Sequence, residues 1–198
     1  MESLNVFTTQ PIIPARVWGW RSASGLSSGL EVESGWNPSL EGVQRFSLRS
    51  RSEDRSETQP VFSILLVEDN SADVGLVREA LEEHEVDCEL LVIGDGDKAI
   101  RFIQALDSEP AVCPDLFIID LNLPKKPGRE VLQSMRQNAK CKGATVVILS
   151  SSDALRDRVD ALELGVSRYI RKPLRLEEFM GLGAIFKEML EASRNKTT

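Results

Sequence analysis

From Val61 onward the chain alternates two kinds of segment. Short runs rich in apolar residues, unbroken at 116–119, are separated by longer stretches in which apolar residues return every three or four positions. The runs cover 63–67, 88–93, 116–119, 144–149 and 166–170. Brief runs of this kind, rich in β-branched and aromatic residues, predict parallel strands buried on both faces. The longer stretches predict helices. The first covers 71–83 with Val74, Val77, Ala80 and Leu81, capped by Asn70 or Ser71. The second follows the turn Gly94-Asp95-Gly96-Asp97 and carries Ala99, Ile100, Ile103 and Leu106. The third covers 129–137 with Val131, Leu132 and Met135. The fourth covers 154–164 and stops at Gly165, a favourable residue just past a helix end. The last runs from Leu176 to about Ala192. Strands and helices in strict alternation predict an α/β fold: a doubly wound, five-stranded parallel sheet of order 2-1-3-4-5 with five helices, flavodoxin-like.

Before Val61 no period of 3.6 or 2 is sustained. Residues 1–58 hold eleven Ser, all three Trp, six Arg, no Lys and seven acids. The mixed-charge stretch 49–57 cannot bury enough surface to offset its ordering entropy. The expectation is a disordered N-terminal arm over 1–58, dispensable for the chemistry of the folded part, and one folded domain over 59–195. Trp18, Trp20 and Trp36 read as incidental residues of that arm.

Charge and cysteine content narrow the function. The arm is nearly neutral, so most of the net −7 falls on the folded part. That acidity argues against nucleic-acid binding through phosphate contacts. No stretch has the length of a membrane span, and the N-terminus lacks the basic start and apolar core of a signal peptide. Cys88, Cys113 and Cys141 are odd in number and lack metal-like spacing, so they read as reduced thiols in a cytoplasmic protein. His84 is the sole histidine, which excludes most histidine-based triads and multi-histidine metal sites.

The candidate chemistry lies where the strands end. The run 116–119 ends on Asp120 and is broken by Asn122-Leu123-Pro124. The first strand ends on Glu68-Asp69, the fourth on Ser150, and the fifth on Arg171-Lys172-Pro173. In an open α/β sheet, ligands gather outside the carboxyl ends of the strands. Three carboxylates, a hydroxyl and an ammonium would therefore share one shallow cleft. Clustered carboxylates are hard-oxygen donors suited to Mg²⁺. With a cation and Lys172 beside it, Asp120 stays ionised and can act as an oxygen nucleophile toward a phosphoryl group.

Four segments then carry a resemblance: ILLVEDN (64–70), PDLFIIDLNLP (114–124), VVILSSSD (146–153) and GVSRYIRKP (165–173). Residues 61–190 resemble the receiver domain of two-component response regulators. Within that family they are most similar to stand-alone receivers partnered with bacteriophytochrome-type histidine kinases. The resemblance implies that Asp120 is the phosphoacceptor. It implies Mg²⁺ held by Glu68, Asp69, Asp120 and the backbone carbonyl of Asn122. Ser150 and Tyr169 would form the conformational switch, and Lys172 would pair with Asp120 and the phosphate across a cis Lys172–Pro173 bond. Two positions depart from the pattern: Ser151 stands where Ala is frequent, and Pro127 where Asp commonly precedes Gly128. The implied function is a single-domain response regulator that accepts a phosphoryl group from a sensor histidine kinase and signals to a protein partner. It would turn over no external substrate and bind neither nucleic acid nor membrane; a homodimer is left open. Two other readings compete. One is a receiver-shaped module that takes no phosphate. The other is an aspartate-nucleophile phosphohydrolase of the haloacid-dehalogenase type, against which Asn122 stands where a general acid is needed.

Overall fold

In the computed structural model the described residues are 42–49, 61–108, 112–152 and 154–195. The expected parallel strands are β2 (Phe62–Val67), β3 (Cys88–Ile93), β4 (Leu116–Ile119), β5 (Thr145–Ser150) and β6 (Arg168–Arg171). They lie in the order β3-β2-β4-β5-β6, which is the predicted 2-1-3-4-5. Successive residues of a strand point to opposite faces, and both faces are covered. Ile64, Leu66, Ile118 and Leu149 pack under α1 (Ser71–Glu83), α5 (Leu176–Met180) and α6 (Leu182–Arg194). Leu65, Val67, Phe117 and Ile148 pack under α2 (Gly96–Ser108), α3 (Gly128–Gln137) and α4 (Leu155–Glu163).

The structure departs from expectation in four places. First, Val43–Leu48, placed by the sequence within a disordered arm, is a strand, β1. It pairs antiparallel with β3, Leu48 opposite Cys88 and Val43 opposite Ile93, and gives the sheet a sixth, edge strand. Leu48 is buried and Phe46 half-buried against the α1/α6 layer. On the opposite face Val43 packs against the other layer, and Arg45 Nε donates to Glu89 Oε2 at 2.6 Å. Only two apolar side chains of so short a segment enter the α1/α6 layer, so its signal was weak. The β3 edge supplies its order. The rest of the arm, including Trp18, Trp20 and Trp36, lies outside the described residues.

Second, Cys113 and Cys141 are not free thiols but a disulfide, with Cα atoms 5.5 Å apart. They are 28 residues apart in sequence, but each lies just ahead of one of two neighbouring strands, with Leu116 of β4 beside Thr145 of β5. Pairing those strands brings the two cysteines together. Cys88 remains free and buried. Third, the described peptide bonds are all trans, Lys172–Pro173 among them. Trans is the preferred isomer of an X–Pro bond by about 0.5–1 kcal/mol, and here Lys172 reaches its carboxylate partners with that isomer. Fourth, the single last helix is two, α5 and α6, meeting at Gly181.

One contact fixes how α6 lies on α1. A Cβ on Gly183 would sit 2.0 Å from the Ala80 carbonyl oxygen and 2.6 Å from His84 Nδ1. The two backbones can approach this closely only because that side chain is missing. No helix among the described residues is long and apolar enough to cross a membrane.

Candidate functional site

The sheet's own hydrogen bonds carry the site residues to one edge. Beyond the last paired residues, the Glu68 amide donates to Ile93 O at 3.1 Å and the Asp120 amide to Val67 O at 3.0 Å. On the other side of β5, the Lys172 amide donates to Ser150 O at 2.9 Å. Glu68, Asp120, Ser150 and Lys172 are therefore the residues at which four adjacent strands leave the sheet. Parallel pairing alone puts them side by side.

Lys172 is the centre of the arrangement. Its ammonium donates to Asp120 Oδ2 at 2.6 Å, to Glu68 Oε2 at 2.7 Å and to Asp73 Oδ2 at 2.7 Å. An ammonium has three N–H donors, and each has a carboxylate. Burial works against the charge on Lys172, yet the bonds to Asp120, Asp73 and Glu68 outweigh it and raise its pKa well above the ordinary lysine value. For Glu68, only 3% exposed, the balance goes the other way. Burial raises its carboxyl despite Lys172 and despite the Asn70 amide, which donates to Oε1 at 3.1 Å.

The other oxygen of Asp120 is held by the loop that follows. The Asn122 amide donates to Oδ1 at 2.9 Å, and Asn122 Nδ2 reaches Ser151 Oγ at 3.3 Å. That loop passes so close to Asp120 that a Cβ on Gly128 would lie 1.9 Å from the Asp120 carbonyl oxygen. Pro127, at the position of the second departure, is the cap of α3 in extended conformation and contributes no side-chain bond. The same loop is tied down at its far side, where Lys125 Nζ donates to Asp95 Oδ2 at 2.8 Å and the Lys98 amide to Asp95 Oδ1 at 2.7 Å. Burial tends to raise the Asp95 carboxyl, but Lys125 and the Lys98 amide hold it below its usual range.

Ser150 is fully buried, and its Oγ accepts from the Ser152 amide at 3.2 Å. Tyr169 stands on the neighbouring strand, its hydroxyl donating to Ser152 O at 3.1 Å. Burial raises the Tyr169 phenol, and the charges of Asp157 and Asp120 add to the rise against the side-chain hydroxyls of Ser152 and Ser150. These two residues thus share one short loop segment, β5 to α4.

Of the residues singled out in the sequence, Glu68, Asp120 and Lys172 meet directly, and Ser150 flanks them at the end of β5. Asp69 is exposed beside them. Sequence reading missed Asp73 and Asp95. Asp73 falls in the first turn of α1, three residues past the segment compared, which ends on the cap Asn70, and an acid there reads as ordinary support for the helix dipole. Three carboxylates around one ammonium leave a formal charge of −2, to which Asp69 adds. This excess of hard oxygen donors fits a divalent cation. Among the described residues, however, no three acidic, imidazole or thiol side chains are set around one metal position; the Lys172 ammonium holds the point where Glu68, Asp73 and Asp120 converge.

Known proteins share this arrangement of strands and motifs. The model of the response regulator receiver domain matches residues 64–182, which include every site residue named above. Response regulator Rcp1 of Synechocystis sp. is 42% identical over 123 residues, 62% of this chain and 84% of that protein. The crystal structure of its Mn(2+)-bound form has a TM-score of 0.59, with 39% identity over 66% of this chain and 95% of that one. The phosphorylated cyanobacterial phytochrome response regulator RcpA superposes with a TM-score of 0.61, 35% identity, 68% of this chain and 96% of that one. The bacteriophytochrome response regulator RtBRR gives a TM-score of 0.54, 34% identity, 64% of this chain and 77% of that one. A sheet in the order β3-β2-β4-β5-β6, with Glu68, Asp120, Ser150 and Lys172 at its carboxyl edge, and these likenesses in sequence and fold together show that the chain belongs to the response regulator receiver family.

Proposed function

We propose that the protein is a phosphorelay receiver in which Asp120 takes a phosphoryl group from a sensor histidine kinase, of the phytochrome type, and passes the signal to a protein partner. The observation that carries this reading is the pairing of Asp120 with Lys172 at 2.6 Å, at the exit of the central strand. The Asn122 amide fixes one carboxylate oxygen and Lys172 the other, so the nucleophile is oriented before any donor arrives. Lys172 and the loop amides then neutralise charge on the transferred group's oxygens. Glu68, Asp69, Asp120 and the Asn122 backbone carbonyl would hold Mg²⁺, which supplies further charge neutralisation when bound. RcpA in its phosphorylated form and Rcp1 in its Mn(2+)-bound form support the same chemistry by likeness.

The signal leaves through Ser150 and Tyr169. A phosphoryl group on Asp120 offers the proton of the Ser150 hydroxyl a charged acceptor, while the Ser150 oxygen accepts from the Ser152 amide. If Ser150 moves inward, Tyr169 is free to follow. A charge-assisted bond of this kind is worth roughly 1.5–3 kcal/mol, one to two powers of ten in a two-state ratio. Exposed Leu155, Val159 and Leu162 of α4 lie beyond this loop and give a partner an apolar surface to read. The reading makes the protein a signalling acceptor without external turnover, placed in the cytoplasm with its kinase. Intact mass measured with a small-molecule phosphodonor and Mg²⁺ tests it. One phosphate should be added to the natural chain and none to Asp120→Asn, and equal uptake by the variant would remove Asp120 from the role.

A further inference from the structure

We infer that Asp73 is a positioning residue that competes with a phosphoryl group on Asp120 for the ammonium of Lys172. The inference rests on the acceptor role proposed for Asp120. All three donors of Lys172 are committed, to Asp120, Glu68 and Asp73. A phosphoryl oxygen can gain a hydrogen bond from Lys172 only if one of these is released.

The three carboxylates are not equally able to let go. With the new group bonded through Oδ1 of Asp120, Oδ2 stays as a carbonyl oxygen that accepts from Lys172, so Asp120 frees no donor. Glu68 is almost fully buried and is tied through its other oxygen to the Asn70 amide. Without the ammonium its charge would rest on Mg²⁺ alone in a pocket that water does not reach, whereas Asp73 has solvent beside it. Asp73 differs on each count. Its side chain is 19% exposed, so water can replace Lys172. Its carboxylate has no other hydrogen-bond partner among the described residues. It also stands in the first turn of α1, where the helix dipole favours negative charge without any partner. Asp73 is thus the member that yields, and its pull on Lys172 opposes phosphoryl engagement until it does.

Removing that pull should strengthen binding of a phosphoryl mimic. In Asp73→Asn the side chain keeps its size, but its bond to Lys172 becomes a weaker one with a neutral acceptor. Beryllofluoride is the probe, titrated at saturating Mg²⁺ and followed by fluorine NMR of the bound species. Affinity should rise about fivefold in Asp73→Asn, the ratio expected when a charge-assisted bond gives way to a neutral one, and to a similar degree in Asp73→Ser. Asp73→Glu, which keeps the charge, should return the affinity toward that of the natural chain. A purely structural role for Asp73 would lower stability in all three variants without this ordering. Unchanged or weaker affinity in the two neutral variants overturns the inference. A natural chain that takes no beryllofluoride at all overturns the acceptor role of Asp120, and this inference with it.

Discussion

Single residues carry opposite parts of the electrostatic balance. Lys172 gathers carboxylates at the site, while Cys88, on β3, shows what burial does without a partner. Desolvation pushes its thiol from an ordinary 9.0 up to about 12, with a smaller push from Glu89. A folded-state pKa raised in this way stabilises fully below pH 9 and progressively less as pH climbs toward 12, because the unfolded thiol ionises first. One pH unit above the ordinary value costs about 1.4 kcal/mol. Between pH 8 and pH 10 the natural chain should therefore lose about that much more stability than Cys88→Ala, read from denaturant melts at the two pH values. Equal losses would mean that the thiol ionises in the fold as freely as outside it. Lys172 acts in the same direction, since its pKa too is raised, so both groups withdraw stability as the pH climbs.

At the scale of elements, closeness of backbones decides more than side-chain contacts do. The α1–α6 contact has no room for a methyl group at Gly183, where the obstacles are a carbonyl and a ring rather than a yielding chain end. Gly183→Ala should force the helices apart and cost about 1–3 kcal/mol, the range for overpacking a tight interior. Thermal melts would register this as a lower Tm; a Tm equal to that of the natural chain would show that α6 can shift freely. α3 is held by a different device. Arg136 in its last turn donates to the carbonyls of Lys142 at 2.9 Å, Ala144 at 3.0 Å and Leu164 at 2.9 Å, joining two loops to one helix end.

For the whole molecule, β1 extends the sheet beyond the part matched by the family model, which begins at residue 64. A shortened chain beginning at Gln59 keeps every site residue and should accept phosphate at Asp120 at an unchanged rate. It loses the burial of Leu48, worth about 1.5–3 kcal/mol, and leaves the β3 edge unpaired. The expected outcome is undiminished labelling with a lower unfolding midpoint. A large fall in labelling would show that the edge strand supports the site through β3, whereas an unchanged midpoint would show that β1 adds no stability.

The fold and most of the site were legible because they follow from local rules. The central parallel strands β2, β4 and β5 are almost wholly apolar, so their bounds stand out, and a polar residue ending such a run must lie at the sheet edge. Glu68, Asp120 and Ser150 could be named for that reason alone. What stayed hidden depends on residues far apart in sequence. Asp73 reads as a helix-capping acid until β6, 99 residues later, brings Lys172 to it. Cys113 and Cys141 read as odd thiols until adjacent strands align the segments before them. Val43–Leu48 lacks the apolar density to declare itself, and it is a strand only because β3 offers an edge to pair with. Sequence determined where each strand ends and with what chemistry; tertiary pairing decided which distant groups those ends meet.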